Sequence, residues 1–286
     1  ALVALIGQGQ EINTGEAGLA EWARVIAERP EWRAIAAPGH ISGPWSSPRS
    51  SPCLTTDVAL DLTVPMRSVR HSHGAGWVDA MLRGEGAEAA DIARDAVPFY
   101  ITRDLSAMRS ALRGLARGQR RAGLVASSGA KRLRAEGLGT QLPDVENWFL
   151  DRWPDVRASD ALETTATEYD CQGLELDVVG LCWGGDLLRG PRGWVAQRFG
   201  GTQWKTVHKP ETRAFFLNKY RVLLTRARYE TVIWIPRGSD PAEPFFDATR
   251  SRAGFDALAE YLRRCGAGEL PREPVAVSGE PQLNYG

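Results

Sequence analysis

Short apolar runs alternate with stretches in which apolar residues recur every three or four positions along most of this 286-residue chain. The first pattern is typical of buried strands and the second of amphipathic helices. Their alternation predicts an α/β fold with a mainly parallel sheet. The predicted strands are residues 2–6, 58–64, 97–102, 122–127, 161–166, 178–183 and 231–235, and the predicted helices are residues 17–28, 76–83, 104–117, 129–135, 211–228 and 253–264.

Turn-forming residues divide the chain. Residues 38–52, rich in Gly, Pro and Ser, are predicted to be a loop or linker that closes a short N-terminal piece over residues 1–52. Residues 53–95 are predicted to connect this piece to a larger unit, residues 96–266, which has enough strands for a five-stranded sheet. The last stretch, residues 267–286, has several prolines and no periodicity, so we expect a poorly ordered tail.

The composition argues against several classes of protein. A formal net charge of zero is not that of a wholly electrostatic nucleic-acid binder such as a histone. The four cysteines have no CxxC spacing, and His71 and His73 lack a third ligand, so no metal site is predicted. No run of 18 residues is apolar and uncharged, and the start lacks the basic region of a signal peptide. We therefore expect a cytoplasmic protein without a membrane partner.

One part of the chain is strongly basic. Residues 103–134 contain nine Arg or Lys side chains and one acid, Asp104. Arginine forks match phosphate oxygens, so this stretch could bind a sugar–phosphate backbone. The chain has only four lysines, however, so arginine could equally occupy ordinary solvated positions here for compositional reasons. The charge pattern alone leaves both interpretations open.

Polar residues at four places near the predicted strand ends suggest a ligand site. Gln10, Arg67 and the run Gln172-Gly173-Leu174-Glu175 follow apolar stretches, and Arg226 lies on the predicted helix 211–228, whose buried face includes Tyr220 and Leu224. Ligands of open α/β sheets bind beyond the carboxyl ends of the strands, so we expect at least three of these segments to face one rim. Taken singly, each residue also suits an ordinary role in a turn, on the surface, at a helix entry or in a salt bridge.

Four stretches in this order resemble the later motifs of superfamily 1 helicases, and most closely the Schlafen-like DNA/RNA helicase domain. They are "LIGQGQEINTGEAG", "RAGLVASSGAKRLR", "TEYDCQGLELDVVGLCWGGD" and "NKYRVLLTRAR", within residues 5–228. The combination of "QGLELD" with "YRVLLTRAR" is the specific part. The resemblance implies an α/β fold with a RecA-like parallel sheet flanked by helices, the second helicase lobe, preceded in residues 1–52 by a remnant of the first.

The resemblance also implies nucleotide-binding roles. Gln10 would sense the γ-phosphate, while Arg67 and Arg226 would reach the nucleotide across a cleft, Arg226 as the arginine finger. Arg70 is an alternative to Arg67. Arg67 is favoured because Ser68 follows it. The segment from Gln172 to Glu175 would bind the nucleotide, with Gly173 allowing close backbone approach and Glu175 accepting a hydrogen bond from the ribose.

A nucleic-acid track is implied as well. Thr167 and the strand end at Ser127 and Ser128 would lie on it, with Arg132 from the basic stretch beside them. The expected partners are single-stranded DNA or RNA and an upstream RecA-like lobe.

The sequence departs from the family pattern in three features. It contains no GxxxxGK[ST] loop, no strand ending in paired acids precedes Gln10, and Gln172 stands where many superfamily 1 members have Lys. ATP and Mg²⁺ would therefore require an upstream lobe, and we expect the chain alone to be inactive. It is either the C-terminal half of an ATP-dependent nucleic-acid helicase or translocase, or a non-hydrolysing module that binds nucleic acid or protein.

Overall fold

The structure is a computed structural model that describes residues 2–3, 18–29, 31–38, 54–61, 73–95, 97–139 and 144–270. Its centre is a six-stranded sheet in which every pairing is parallel. In spatial order the strands are β11 (Gly268–Glu269), β3 (Phe99–Thr102), β10 (Ala227–Trp234), β6 (Leu176–Cys182), β4 (Ala122–Ala126) and β5 (Thr165–Ala166). The predicted α/β fold with a RecA-like parallel sheet is confirmed, with one strand more than expected.

Helices cover both faces of this sheet, because successive residues of the central strands point to opposite sides and both sides are apolar. On one side α4 (Leu105–Leu115) packs Met108 and Leu112 against the sheet. The other side carries the larger core, built on α2 (Gly74–Arg83), α3 (Gly86–Ala93), α6 (Pro210–Leu224) and α7 (Arg252–Arg264). The sheet is therefore buried on both faces, as the continuous apolar strands predicted.

Smaller elements complete the described part of the chain. They are α1 (Gly18–Ala27), the parallel pair β1 (Ala34–Ala36) and β2 (Leu54–Thr56), and α5 (Val145–Leu150). An antiparallel meander of β7 (Leu187–Gly190), β8 (Gly193–Gly200) and β9 (Gln203–Thr206) follows the carboxyl end of β6. No helix in these described ranges is long and apolar enough to cross a membrane.

Several predicted elements differ from the observed ones. Residues 2 and 3 lie outside any strand, and residues 58–60 form a 3-10 turn because Asp57 accepts a hydrogen bond from the Ala59 amide at 2.9 Å. A 3-10 turn at residues 131–136 replaces a predicted helix. Helix α6 ends at Leu224 rather than continuing to residue 228, because residues 227–234 pair with both β3 and β6.

The centre of the sheet is close-packed around glycine. A Cβ atom added to Gly180, in the middle of β6, would lie 2.6 Å from Leu112 Cδ1 and 2.7 Å from Leu124 Cδ2. The side chains of Leu112 from α4 and Leu124 from β4 therefore fill the space that a Cβ atom at residue 180 would need.

We expect Gly180→Ala to lower the free energy of unfolding by about 1–3 kcal/mol, because the Leu112 and Leu124 side chains must move to admit the methyl group. Gly114→Ala is the matched control. Gly114 lies in α4 with no atom within 4 Å of an added Cβ, so alanine should stabilise the helix by roughly 0.5–1 kcal/mol. Urea unfolding of both variants measures the difference, and equal stability would contradict this account of the packing.

Candidate functional site

The predicted site residues within the described part lie at two opposite ends of the sheet. Ser127 and Ser128 follow β4 and Thr167 follows β5, at the carboxyl end. Residues 172–175 precede β6 and Arg226 precedes β10, at the amino end. The expectation that residues 172–175 lie beyond a strand's carboxyl end is therefore wrong. Strand β5 has only two residues, and the segment 167–175, here called the crossover segment, must return to the amino end because β6 runs parallel to it.

Arg226 ties two elements together at the amino end. Its side chain is buried, with Nε donating to the Val222 carbonyl at 2.9 Å and Nη1 to the Cys171 carbonyl at 3.3 Å. Its own carbonyl accepts from the Leu176 amide at 3.3 Å. Arg226 does not lie on a helix as predicted, but it joins the last turn of α6 to the crossover segment.

The rest of the amino end is open to solvent. Gln172 and Gly173 are exposed, Gly173 has a left-handed φ of 85°, and no atom lies within 4 Å of a Cβ built there. The Glu175 carboxylate is partly exposed and lies 4.0 Å from Arg228 Nε. Burial raises the pKa of the Cys171 thiol to about 12, so this cysteine stays protonated and unreactive. The amino end of the sheet thus offers a ligand the accessible backbone at Gly173 and the partly exposed carboxylate of Glu175.

A buried carboxylate organises the carboxyl end. Asp186 is fully buried and accepts hydrogen bonds from Ser127 Oγ at 2.6 Å and from the Tyr220 hydroxyl at 2.8 Å. The Tyr220 hydroxyl also accepts from the Gly184 amide at 3.2 Å. Burial raises the pKa of Asp186, an effect that its two hydrogen bonds oppose. These contacts fix α6 against the loops that follow β4 and β6.

A second buried acid lies beside the first. Glu168 accepts from the Ser128 hydroxyl at 2.6 Å and the Ser128 amide at 2.8 Å, and it pairs with Lys219 Nζ at 2.7 Å. Thr167, nearly buried, donates through its hydroxyl to Asp170 at 2.7 Å. Ser127, Ser128 and Thr167 are thus engaged with carboxylates of the protein itself.

Sequence reasoning missed the four residues that hold this end together: Glu168, Asp186, Lys219 and Tyr220. Two signals were available. Glu168 lies two residues after the predicted strand 161–166 and Asp186 three residues after the predicted strand 178–183. Lys219 is one of only four lysines, within the helix that carries Tyr220.

Comparison with known protein families identifies the family of this chain. The sequence model of the Schlafen group 3 DNA/RNA helicase domain matches residues 1–237, most of the chain. The chain belongs to this family. No curated protein and no solved structure matches it. Membership indicates nucleic-acid binding, and the α/β architecture agrees with the RecA-like lobe that the resemblance implied.

The basic stretch of this Schlafen group 3 domain does not form one surface. Helix α4 carries it from the carboxyl end of the sheet to the amino end, where Arg113 and Arg117 are exposed, and β4 returns it to Lys131 and Arg134. Other members donate to backbone carbonyls, such as Arg103 to Ile235, Arg109 to Leu162 and Arg121 to Asp151. Arg132 pairs with Asp247 and lies 5.5 Å from the Phe199 ring.

Some predicted residues cannot be placed. Gln10, Arg67, Arg70 and His71 fall outside the described residues of the domain. Within the described ranges no three His, Cys, Asp or Glu side chains lie close enough together to bind a metal ion.

We expect Tyr220→Phe to lower the free energy of unfolding by about 1–3 kcal/mol, because Asp186 loses a donor and the Gly184 amide loses its acceptor. The loss should be larger at a pH above the raised pKa of Asp186 than at a pH below it. A raised pKa in the folded state means that the folded protein keeps a proton which the unfolded chain has released, so stability falls as pH rises through the pKa of Asp186. Removing a donor raises that pKa further.

Tyr261→Phe is the control, because its hydroxyl donates to the neutral Met81 carbonyl at 2.7 Å. It should cost about 1 kcal/mol at either pH. Urea unfolding at both pH values distinguishes the two tyrosines, and a pH-independent Tyr220→Phe effect would contradict the coupling to Asp186.

Proposed function

We propose that this chain supplies the second RecA-like lobe of an ATP-dependent helicase or translocase that moves along single-stranded DNA or RNA. The observation that carries the proposal is the position of α6. This helix is bonded to the carboxyl-end loops through Lys219 and Tyr220, while Arg226, directly after it, is bonded to the crossover segment at the amino end. One rigid helix therefore joins the two groups of residues that the family resemblance assigns to nucleic acid and to nucleotide.

The amino end fits part of an ATP molecule. Gly173 leaves its backbone accessible, and the partly exposed Glu175 carboxylate suits the hydroxyl groups of a ribose. Bound ATP would supply the phosphoanhydride bond whose hydrolysis drives movement. We propose that Gln172, Gly173 and Glu175 bind and orient the nucleotide, and that Arg226, with Gln10 and Arg67, acts near its phosphates.

The described residues do not fit magnesium, since they contain no suitable cluster of acidic or histidine ligands. We propose that Mg²⁺ and most phosphate contacts depend on an upstream lobe with a GxxxxGK[ST] loop, which the chain does not contain.

The carboxyl end suits a supporting role for nucleic acid. Ser127 and Thr167 are buried and bonded to Asp186 and Asp170, so they shape this end rather than present hydroxyl groups to solvent. Ser128 is partly buried and also accepts a hydrogen bond from Lys219 at 3.0 Å. We propose that these residues hold the track in place, and that Arg132 contributes positive charge beside it.

A second candidate function is a binding module that does not hydrolyse ATP. The burial of Arg226, with two of its donors on backbone carbonyls, favours it, because an arginine held in this way can serve the fold alone.

Arg226→Lys separates the two functions in a full-length form that contains the phosphate-binding loop. Under the motor proposal, lysine keeps the charge but loses the planar fork, so the ATP turnover number should fall by about a hundredfold or more. The Michaelis constant for ATP should change much less, because the interaction strengthens in the transition state. Steady-state hydrolysis measures both constants, and thermal unfolding reports the cost to the fold.

Arg221→Lys is the matched control. Arg221 lies on the same helix and pairs with Asp79 of α2 at 2.8 Å. It should lower the melting temperature slightly and leave turnover of the folded protein near the wild-type value. If Arg226→Lys behaved in the same way, Arg226 would be a structural arginine, and the binding-module function would be preferred.

A further inference from the structure

Two exposed positive side chains lie opposite each other on the β8–β9 hairpin. Arg198 of β8 lies directly opposite Lys205 of β9, so both project from the same face of the hairpin. Both are exposed, and within the described residues no carboxylate lies within 4 Å of either. Like charges at directly opposed positions destabilise a strand pair. This arrangement costs stability unless an anion lies over the pair.

The whole meander shares this charge. Residues 187–209 contain five Arg or Lys residues and no acid, in a chain whose formal net charge is zero. Arg189 is partly buried and packs 4.2 Å from the Tyr261 ring, whereas Arg192, Arg198, Lys205 and Lys209 are exposed. We call β8 and β9, residues 193–206, the basic hairpin. It is a local positive surface on a protein whose formal net charge is zero, and a polyanion complements it.

The basic hairpin is continuous with the carboxyl end of the sheet through alternating cations and rings. Arg198 lies 6.0 Å from the Phe216 ring, and Lys219 Nζ lies 5.5 Å from both Phe216 and Tyr169. Phe216 is buried, but the Tyr169 side chain is 48% exposed. Tyr169 therefore presents an aromatic ring to solvent beside Lys219, which Glu168 and Ser128 hold in place.

We infer that Arg198, Lys205 and Tyr169 form a contact surface for single-stranded nucleic acid, with phosphates on the two cations and an unpaired base stacked on the tyrosine. Aromatic rings interleaved with cations are typical of proteins that bind single strands, because each base can stack while the backbone is neutralised. Bases stacked within a duplex could not use an exposed ring in this way. The inference rests on the proposed function and adds the surface that its buried Ser127 and Thr167 cannot themselves provide.

Binding of the whole 286-residue chain to a fluorescent single-stranded oligonucleotide of about 20 nucleotides tests this surface, by anisotropy at several salt concentrations. The Arg198→Gln, Lys205→Gln double variant should raise the dissociation constant about tenfold at low salt. Its log–log salt slope should be smaller by about 1.4, twice the value of roughly 0.7 for each phosphate on a single strand. Arg113→Gln with Arg117→Gln is the control, since it removes two exposed cations at the other end of the sheet and should leave the slope unchanged.

Two further variants test stacking and structure. Tyr169→Ala should weaken binding about fivefold or more while Tyr169→Phe binds like the wild type, because the ring and not the hydroxyl stacks. The melting temperature of the hairpin double variant, and of Lys205→Gln alone, should be equal to that of the wild type or higher, because repulsion is relieved. A purely structural role would lower it.

The outcomes separate the two proposals. Binding by the wild type with no difference between hairpin and control variants would overturn this surface and leave the proposed function standing. Equal binding by Tyr169→Ala and Tyr169→Phe, with polyglutamate displacing the oligonucleotide at equal charge, would identify a general polyanion surface and also overturn the inference. No oligonucleotide binding by the wild type would remove the nucleic-acid part of the proposed function together with this surface.

Discussion

The buried carboxylate of Asp186 is the constraint on which the arrangement of the lobe depends. A buried, unpaired acid costs far more than a hydrogen bond contributes, so Asp186 is tolerated only where its donors are in place. Ser127 comes from the loop after β4, Tyr220 comes from α6, and Asp186 itself follows β6. The three elements must therefore assemble together. Glycine makes this possible, since a Cβ atom at Gly129 would lie 2.6 Å from Asp186 Oδ2 and one at Gly184 would lie 2.3 Å from Ala130 Cβ.

This anchoring gives α6 and the crossover segment two shared points of attachment. Glu168 pairs with Lys219 in the middle of α6, and the Cys171 carbonyl accepts from Arg226 just after its end. The two attachment points on the crossover segment are three residues apart, yet they belong to opposite ends of the sheet. A few bonds and one packed helix therefore connect the two ends, and packed networks of this kind can carry coupling between two sites.

The parts of the fold that could be predicted from the sequence are those that the core dictates. Strand β4, residues 178–182 of β6 and residues 231–234 of β10 are buried because helices cover both faces, and α4 and α7 show a clear apolar stripe for the same reason. The meander β7 to β9 was not predicted, because its short strands mix Trp with Gly, Arg and Lys and are only partly buried. The location of the "QGLE" run was mispredicted because β5 is too short to show where it ends. The order of the motifs identified the family. Only the structure shows that Ser127, Ser128 and Thr167, which were predicted to contact nucleic acid, are hydrogen-bonded to carboxylates of the protein itself.

The burial of Arg226 is compatible with a role at phosphate if phosphate oxygens can replace its present carbonyl acceptors. Its Nε and Nη1 donate to neutral carbonyls of Val222 and Cys171. Both bonds are already charge-assisted, because the guanidinium is ionised. A phosphate would add an ionised partner and a bidentate geometry that a carbonyl cannot match, so it could compete with the two carbonyls for the guanidinium. In the absence of nucleotide the carbonyls are the better partners, because they keep a buried guanidinium paired. Under the proposed function, binding of nucleotide would release the Cys171 carbonyl and loosen the crossover segment at one end while Glu168 holds the other. The same two hydrogen bonds that suggest a structural arginine are then the contacts through which the nucleotide state would reach the nucleic-acid end of the sheet.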